Sequence, residues 1–266
     1  MNSTESPQPS SPSSSSSKQI AEEINKILLQ QPVDLQLLRT YSRKIGGFQS
    51  NKLRARVWPK LLGINRFNVQ DYRNYLNMHK DHSQVHADVE RSLWNYEPMK
   101  FWKESYRNRR RKVLAEIIIG ILSRNDHLHY YQGFHDIVST IMLVIDDDFL
   151  TFAIAEFIAL HYISDYMKET FETVSKFMHI LFVIIRSQDY ELYSHLIQAK
   201  MEPFFAISWL ITWFSHDIKE LDHVARLYDV LLSSPPIYCF YLSAAVSSKI
   251  LFLSYLISFY IFYSIF

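Results

Sequence analysis

The chain has 266 residues, a formal net charge of +1 and 15% aromatic residues. This length suffices for one large domain with a sizeable core, and the near-neutral charge gives no global indication of a nucleic-acid partner. The single cysteine, Cys239, excludes an internal disulfide and a cysteine-based zinc cluster. The N-terminus lacks the apolar stretch of a secretory signal, so we expect this end of the protein in the cytosol.

The N-terminal segment, residues 1–18, is rich in serine and proline and is predicted to be disordered, because it buries too little apolar surface to offset ordering. Ordered structure is predicted from about Lys18 onward. Apolar residues with helical spacing follow there: Ile20, Ile24, Ile27 and Leu28. Asp34 is predicted to cap the next helix.

The rest of the chain carries helical rather than strand-like patterns. Gly46-Gly47 predicts a turn, and Pro59 predicts a kink or a helix start within the apolar segment 53–63. The last helix is predicted to open at Arg226 and to close at Pro235-Pro236. Further helical blocks are predicted at 111–122, 137–145, 150–166, 171–186, 189–199 and 204–216. No strand-like alternation persists, so the sequence predicts an all-α fold.

A first polar motif is Asp88-Val89-Glu90-Arg91-Ser92. An arginine is permanently charged and offers a planar fork of donors that matches phosphate oxygens, and Asp88 lies one helical turn before Arg91. Taken alone, the pair is better explained as an ordinary surface ion pair.

A second motif is the string Tyr130-Tyr131-Gln132-Gly133-Phe134-His135-Asp136. A glutamine amide both donates and accepts, so it can orient an attacking water, and Gly133 permits close backbone approach. Alone, it too could be an ordinary turn. None of the five glycines of the chain precedes Lys-Ser or Lys-Thr, so the sequence lacks a phosphate-binding loop. A nucleotide would have to arrive on another protein.

Four motifs in order resemble the TBC domain of Rab GTPase-activating proteins. The segment from Arg54 to Gly63 is similar to the family's Arg-x-x-Val-Trp-x-x-Leu-Leu-Gly element. Its arginine motif, Ile-x-x-Asp-x-x-Arg-Thr, is matched with two conservative departures, Val85 and Ser92. The family's Tyr-x-Gln-Gly is matched in full, and a later Arg-x-Trp/Tyr-Asp element is matched by Arg226, Tyr228 and Asp229. The strings 130–137 and 208–214 look closest to the membrane-anchored subfamily that acts on early-secretory Rab proteins.

The resemblance implies a two-lobed helical domain over residues 19–240 that regulates an enzyme rather than being one. Arg91 would be an arginine finger and Gln132 a glutamine supplied in trans to a GTP-bound Rab. The residues expected to support these motifs are Asp88, Ser92, Tyr130, Gly133, Asp136, Arg226 and Asp229. No cofactor is expected in this chain, since GTP and magnesium would belong to the Rab. The expected location is the cytoplasmic face of ER or Golgi membranes, or the cytosol if the C-terminus is not an anchor.

Two other polar clusters are weaker candidates. His127, His129 and His135 lie close in sequence but lack the spacing of a metal site, so no metal is expected. The basic run Arg107–Lys112 could face acidic switch regions or anionic lipid, although a solvated helix face is the favoured interpretation.

The C-terminal residues 241–266 form a hydrophobic tail in which only Lys249 is charged. Three alternatives remain: a shortened or alternatively spliced C-terminus that leaves the second lobe incomplete, a membrane helix at the short limit of spanning length, or a core helix of the domain. The first is favoured, because the family's final helices should begin where this run begins.

Overall fold

The computed structural model describes residues 14–77, 79–170 and 172–249, and every regular element within these ranges is helical. The predicted all-α fold is therefore confirmed. The α-helices are α1 (Ser14–Leu28), α2 (Leu35–Arg43), α3 (Asn51–Leu61), α4 (His82–Glu90), α5 (Glu97–Lys100), α6 (Glu104–Arg124), α7 (Phe134–Ile145), α8 (Asp148–His161), α9 (Glu172–Gln188), α10 (Tyr190–Gln198), α11 (Ile207–Thr212) and α12 (Leu221–Leu231). Residues 238–249 form α13, and short 3₁₀ helices occur at Tyr72–Tyr75 and Pro203–Ala206.

The first helix begins earlier than predicted. Residues 14–18 belong to α1, whereas residues 1–13 of the segment predicted to be disordered lie outside the described residues. Ile24 and Ile27 are buried, and α1 packs against α2 and α3. Because this apolar face anchors the helix, the polar serine turn can extend it N-terminally at little cost.

Two predicted helix starts have different outcomes. Asp34 caps α2 as predicted, since its Oδ1 accepts a hydrogen bond from the backbone N–H of Leu37 at 2.8 Å. A start at Pro59 is wrong, because α3 begins at Asn51, where Ser50 is the capping residue, and continues through Pro59. Pro59 lacks the N–H that would donate to the Ala55 carbonyl, so the helix continues through it with one intrahelical hydrogen bond fewer.

Helix α7 occupies the centre of the described fold. It packs against α3, α4, α6, α8, α11 and α12, and all but two of its residues are buried. The loop that carries Gln132 leads directly into this helix, so the buried core fixes the position of the loop.

The C-terminal region corrects the predicted boundaries. Helix α12 begins at Leu221, so Arg226 lies inside the helix instead of opening it. The buried Val224 and Ala225 extend the helical apolar face upstream of Arg226.

Helix α13 covers the start of the predicted hydrophobic tail. It packs a stripe of small and aromatic side chains into the core: Cys239, Phe240, Ser243 and Ala244. The Ser243 and Ser247 hydroxyls donate to helix carbonyls one turn back, at 2.9 and 2.8 Å. This part of the tail is therefore a packed helix of the domain, whereas residues 250–266 lie outside the described residues. No helix in the described ranges is both long enough and apolar enough to span a membrane.

Candidate functional site

Arg91 lies at the C-terminal end of α4 with its side chain 72% exposed. Its Nη2 donates to Asp88 Oδ1 at 2.8 Å, and its Nε donates to the Ala87 carbonyl at 3.2 Å. The Asp88 side chain is buried. The guanidinium is thus tethered at its base, while its solvent-facing edge remains accessible to a further anion.

Tyr130 joins the two motifs. Its hydroxyl donates to Asp88 Oδ2 at 3.0 Å and lies 2.8 Å from His135 Nδ1, from which it can accept a hydrogen bond. Burial, and then the Asp88 carboxylate, raise the pKa of Tyr130 far above its usual value. The phenol therefore stays protonated and keeps its hydrogen on the Asp88 side. One buried carboxylate consequently receives the tyrosine of the second motif and the arginine of the first.

Gln132 is exposed at the turn before α7, and the next residue explains the turn. Gly133 has φ +119°, a conformation that residues with a side chain rarely adopt. A Cβ at Gly133 would also lie 2.9 Å from Thr212 Cγ2. Tyr131 fastens the same turn to α11, because its hydroxyl donates to the Ile211 carbonyl at 2.6 Å.

Asp136 is a buried carboxylate in the first turn of α7. Asn95 Nδ2 donates to its Oδ1 at 3.1 Å, and His216 Nδ1 lies 3.1 Å from its Oδ2. The hydrogen bond to Asp136 raises the pKa of His216. Neither Asn95 nor His216 was found by sequence reasoning, because each is distant in sequence from Asp136 and belongs to no motif of recognised spacing.

Arg91, Gln132 and Asp136 line one groove of about 490 Å³. Its walls are the end of α4, the turn before α7 and the α11 region: Asp88, Arg91, Ser92, Asn95, Gln132, Gly133, His135, Asp136, Ile207, Ser208, Ile211, Thr212 and His216. The structure therefore brings both candidate catalytic residues, Arg91 and Gln132, to the same groove. Both side chains are exposed, and Arg91 rests on the buried Asp88 carboxylate.

The basic run at the start of α6 is only partly a solvated face, and for two of its members that interpretation was wrong. Arg107 is 1% exposed, and its guanidinium donates to the Leu93 and Met99 carbonyls at 3.2 and 2.7 Å. Arg111 donates twice to the Ser92 carbonyl, at 3.0 and 3.3 Å. Leu93 has φ +63°. The two arginines thus satisfy the Ser92 and Leu93 carbonyls of the tight turn that directly follows Arg91, and Arg107 also satisfies that of Met99 in α5.

Arg226 and Asp229 lie in a different place from the groove. The buried Asp229 carboxylate accepts hydrogen bonds from Arg54 Nε at 3.0 Å, Trp58 Nε1 at 2.9 Å and the Phe48 backbone N–H at 3.1 Å. Arg226 Nη2 donates to a backbone carbonyl, that of Lys44, at 2.8 Å. Asp229 therefore joins α12 to α3, Arg226 joins α12 to the end of α2, and neither lines the groove.

The histidine candidates do not converge either. Among residues 14–77, 79–170 and 172–249 no group of three His, Cys, Asp or Glu side chains could hold a metal ion. His135 reaches the groove, whereas His129 Nε2 lies 3.0 Å from Lys80 Nζ.

Comparison with known proteins agrees with this architecture. The sequence model of the Rab-GTPase-TBC domain matches residues 51–251, and the chain belongs to this family. Among curated relatives, TBC1 domain family member 20 of Homo sapiens is 37% identical over 231 residues, covering 86% of this chain and 56% of the relative. GTPase-activating protein gyp10 of Schizosaccharomyces pombe is 31% identical over 232 residues, covering 86% of this chain and 60% of the relative. The chain thus spans little more than half the length of these relatives.

A solved structure shows the same fold. The crystal structure of the Ypt/Rab-GAP domain of Gyp1p superposes with a TM-score of 0.68, covering 88% of this chain and 86% of that chain at 18% identity. At this identity the similarity concerns the fold alone.

Proposed function

We propose that this chain accelerates GTP hydrolysis by a Rab-family small GTPase, with Arg91 and Gln132 as the side chains that enter the nucleotide site of the GTPase. The observation that carries the proposal is the pairing of these two exposed side chains on one groove, above the shared Asp88–Tyr130 hydrogen bond. The family membership and the GTPase-activating names of relatives support it.

The chemistry follows from the two side chains. Arg91 holds Asp88 through only one of its terminal nitrogens, so its remaining donors can bind phosphoryl oxygens as negative charge spreads over them. Such a guanidinium contributes about 10³ to 10⁵ in rate. Gln132 can accept a hydrogen from an attacking water and donate to a phosphate oxygen. GTP and magnesium would be bound by the Rab. This chain would lower the activation barrier of GTP hydrolysis without itself binding GTP or magnesium.

We also propose that the GTPase belongs to early secretory traffic and that the chain acts at the cytoplasmic face of ER or Golgi membranes. The support is the resemblance of the strings around Gln132 and Trp209 to the membrane-anchored subfamily. A hydrophobic anchor in residues 250–266 would account for such a location.

Single-turnover hydrolysis with a panel of GTP-loaded Rab proteins tests the proposal. Wild type should accelerate hydrolysis by at least one of them. Arg91→Ala should reduce that acceleration by about 10³-fold or more, and Gln132→Ala should also reduce it. Lys168→Ala, at an exposed position outside the groove, is the control and should leave the rate unchanged. If wild type binds GTP-loaded Rab without accelerating hydrolysis, the chain is a binding module. If the acceleration survives Arg91→Ala, the finger assignment is wrong.

A further inference from the structure

A second groove, of about 680 Å³, lies apart from the catalytic groove and shares no lining residue with it. It is formed by α3, the segment after it, the start of α6 and the end of α7. Its lining includes four cationic and two aromatic side chains: Lys52, Arg56, Arg66, Arg110, Trp102 and Tyr106.

Two of the cations are available for a ligand. Arg56 donates to Asn25, and Arg110 pairs with Asp148 at 2.8 Å, so both are held by the protein. Within the described part of the chain, Lys52 and Arg66 form no ion pair, and both are exposed. The opposing charge in the lining is the exposed Asp146, next to the carbonyl end of α7. Cations therefore outnumber acids, and the groove favours an anion.

The two most exposed large hydrophobic side chains of the described residues are each next in sequence to a residue that lines the groove. Phe67 is 91% exposed and Phe101 is 85% exposed. Phe67 follows Arg66, whose guanidinium lies 5.7 Å from its ring, and Phe101 precedes Trp102. The Trp102 ring in turn packs edge-on against Tyr106, with the ring centroids 4.8 Å apart. Single exposed apolar residues need no explanation, but two phenylalanines beside one cationic groove do.

We propose that this groove and its two phenylalanines form a docking site for an anionic membrane surface. Lys52 and Arg66 would contact the phosphate groups of lipid headgroups, while Phe67 and Phe101 would enter the interfacial layer. A lipid surface offers an anionic layer above an apolar one, which matches cations beside protruding aromatic side chains, and Trp and Tyr side chains favour that boundary.

The site is compatible with simultaneous engagement of a GTPase. Arg111 faces the turn after Arg91, whereas Arg110 on the same helix lines the cationic groove. The two grooves share no lining residue, so a ligand in one does not use the residues of the other. The membrane site does not depend on the proposed catalytic activity.

Vesicle co-sedimentation of the full chain provides the test, with vesicles of phosphatidylcholine alone and with about 30% phosphatidylserine added. Any binding by the hydrophobic C-terminus contributes to both vesicle types, so the readout is the gain in partitioning caused by the anionic lipid. Wild type should show a gain that falls with added salt. Lys52→Gln with Arg66→Gln should lower it by roughly 25-fold, since each cation near an anionic surface contributes about fivefold. Phe67→Ser with Phe101→Ser should lower binding to anionic vesicles by about tenfold or more.

Matched controls are Lys18→Gln with Lys168→Gln for charge and Val183→Ser for exposed apolar surface, all at positions outside the groove. These should bind as wild type does, and all variants should keep the melting temperature of wild type. A wild type without preference for anionic vesicles, or groove variants that bind as well as wild type, would overturn the proposal. Unchanged vesicle binding together with weaker activation of a soluble GTP-loaded Rab would also overturn it and would assign the groove to the GTPase interface.

Discussion

Removal of one hydroxyl group, in Tyr130→Phe, tests whether the two motifs act as one unit. The hydroxyl donates to Asp88 Oδ2 at 3.0 Å, and the other oxygen of this carboxylate receives Arg91. Asp88 is 5% exposed, so the oxygen that loses its donor gains little water in exchange. A hydrogen bond to a charged group contributes about 1.5–3 kcal/mol, and we expect a loss of unfolding free energy of that size.

Thermal unfolding and single-turnover kinetics measure the two consequences. For a domain of this size the expected loss corresponds to a melting temperature lowered by about 3–12 °C. Because Asp88 also accepts a hydrogen bond from Arg91 Nη2, we expect the maximal single-turnover rate to fall by up to about 10²-fold as the guanidinium loses its fixed position. Binding of GTP-loaded Rab should change less than the rate, since the groove itself is retained.

The matched control is Tyr190→Phe, because Tyr190 is 67% exposed and its hydroxyl makes no hydrogen bond to the described residues. A double-mutant cycle with Asp88→Asn isolates the pair and should give a coupling of about 0.5–3 kcal/mol. Additive losses within about 0.3 kcal/mol would refute the reasoning, as would a Tyr130→Phe chain that melts and activates as wild type does.

Two further predictions concern the other buried carboxylates. Asp229→Asn removes the charge that Arg54 pairs with in the core, so we expect a loss of about 3–5 kcal/mol in thermal or denaturant unfolding, with the activity per folded molecule retained. A loss below about 1 kcal/mol would show that the cluster is replaceable. Asp136 raises the pKa of His216, so protonation stabilises the fold below the ordinary histidine pKa, and this contribution is lost as the pH rises through the raised pKa. The melting temperatures of wild type and His216→Asn should differ at about pH 5.5 and converge at about pH 8.5; an equal difference at both values would contradict the linkage.

The helical fold could be predicted because its signal is local. Ile24 and Ile27 repeat with helical spacing and are buried, and Asp34 caps α2 where the sequence indicates. The start of α12 was predicted too late because it was placed at the motif residue Arg226. The apolar Val224 and Ala225 extend the helix upstream of that residue. For the tail, the sequence left a core helix open as one of three alternatives, and its first residues do lie in the packed helix α13. The Ser243 and Ser247 hydroxyls are satisfied within this helix and so can be buried.

Only part of the candidate site could be predicted from the sequence. Arg91 and Gln132 were named from their chemistry and from the family resemblance, and the structure places both on one groove. The two motifs are joined by the hydrogen bond from Tyr130 to Asp88, which links segments distant in sequence. No rule of sequence spacing predicts such a contact. The same holds for Asn95 and His216, which reach Asp136 from the segment after α4 and the segment after α11.

In helix α6, the run of positive charges does not by itself indicate what each arginine does. Its early arginines look alike in sequence, yet helical rotation sends them to three different environments. Arg107 is buried against the carbonyls of Leu93 and Met99, Arg111 holds the Ser92 carbonyl, and Arg110 lines the cationic groove. Burial of Arg107 is tolerable because its charge also meets Glu104 at 2.6 Å. The turn behind Arg91 is therefore held by the same helix that bears the proposed membrane surface, and substitutions in this run should separate into catalytic and membrane effects according to helical face.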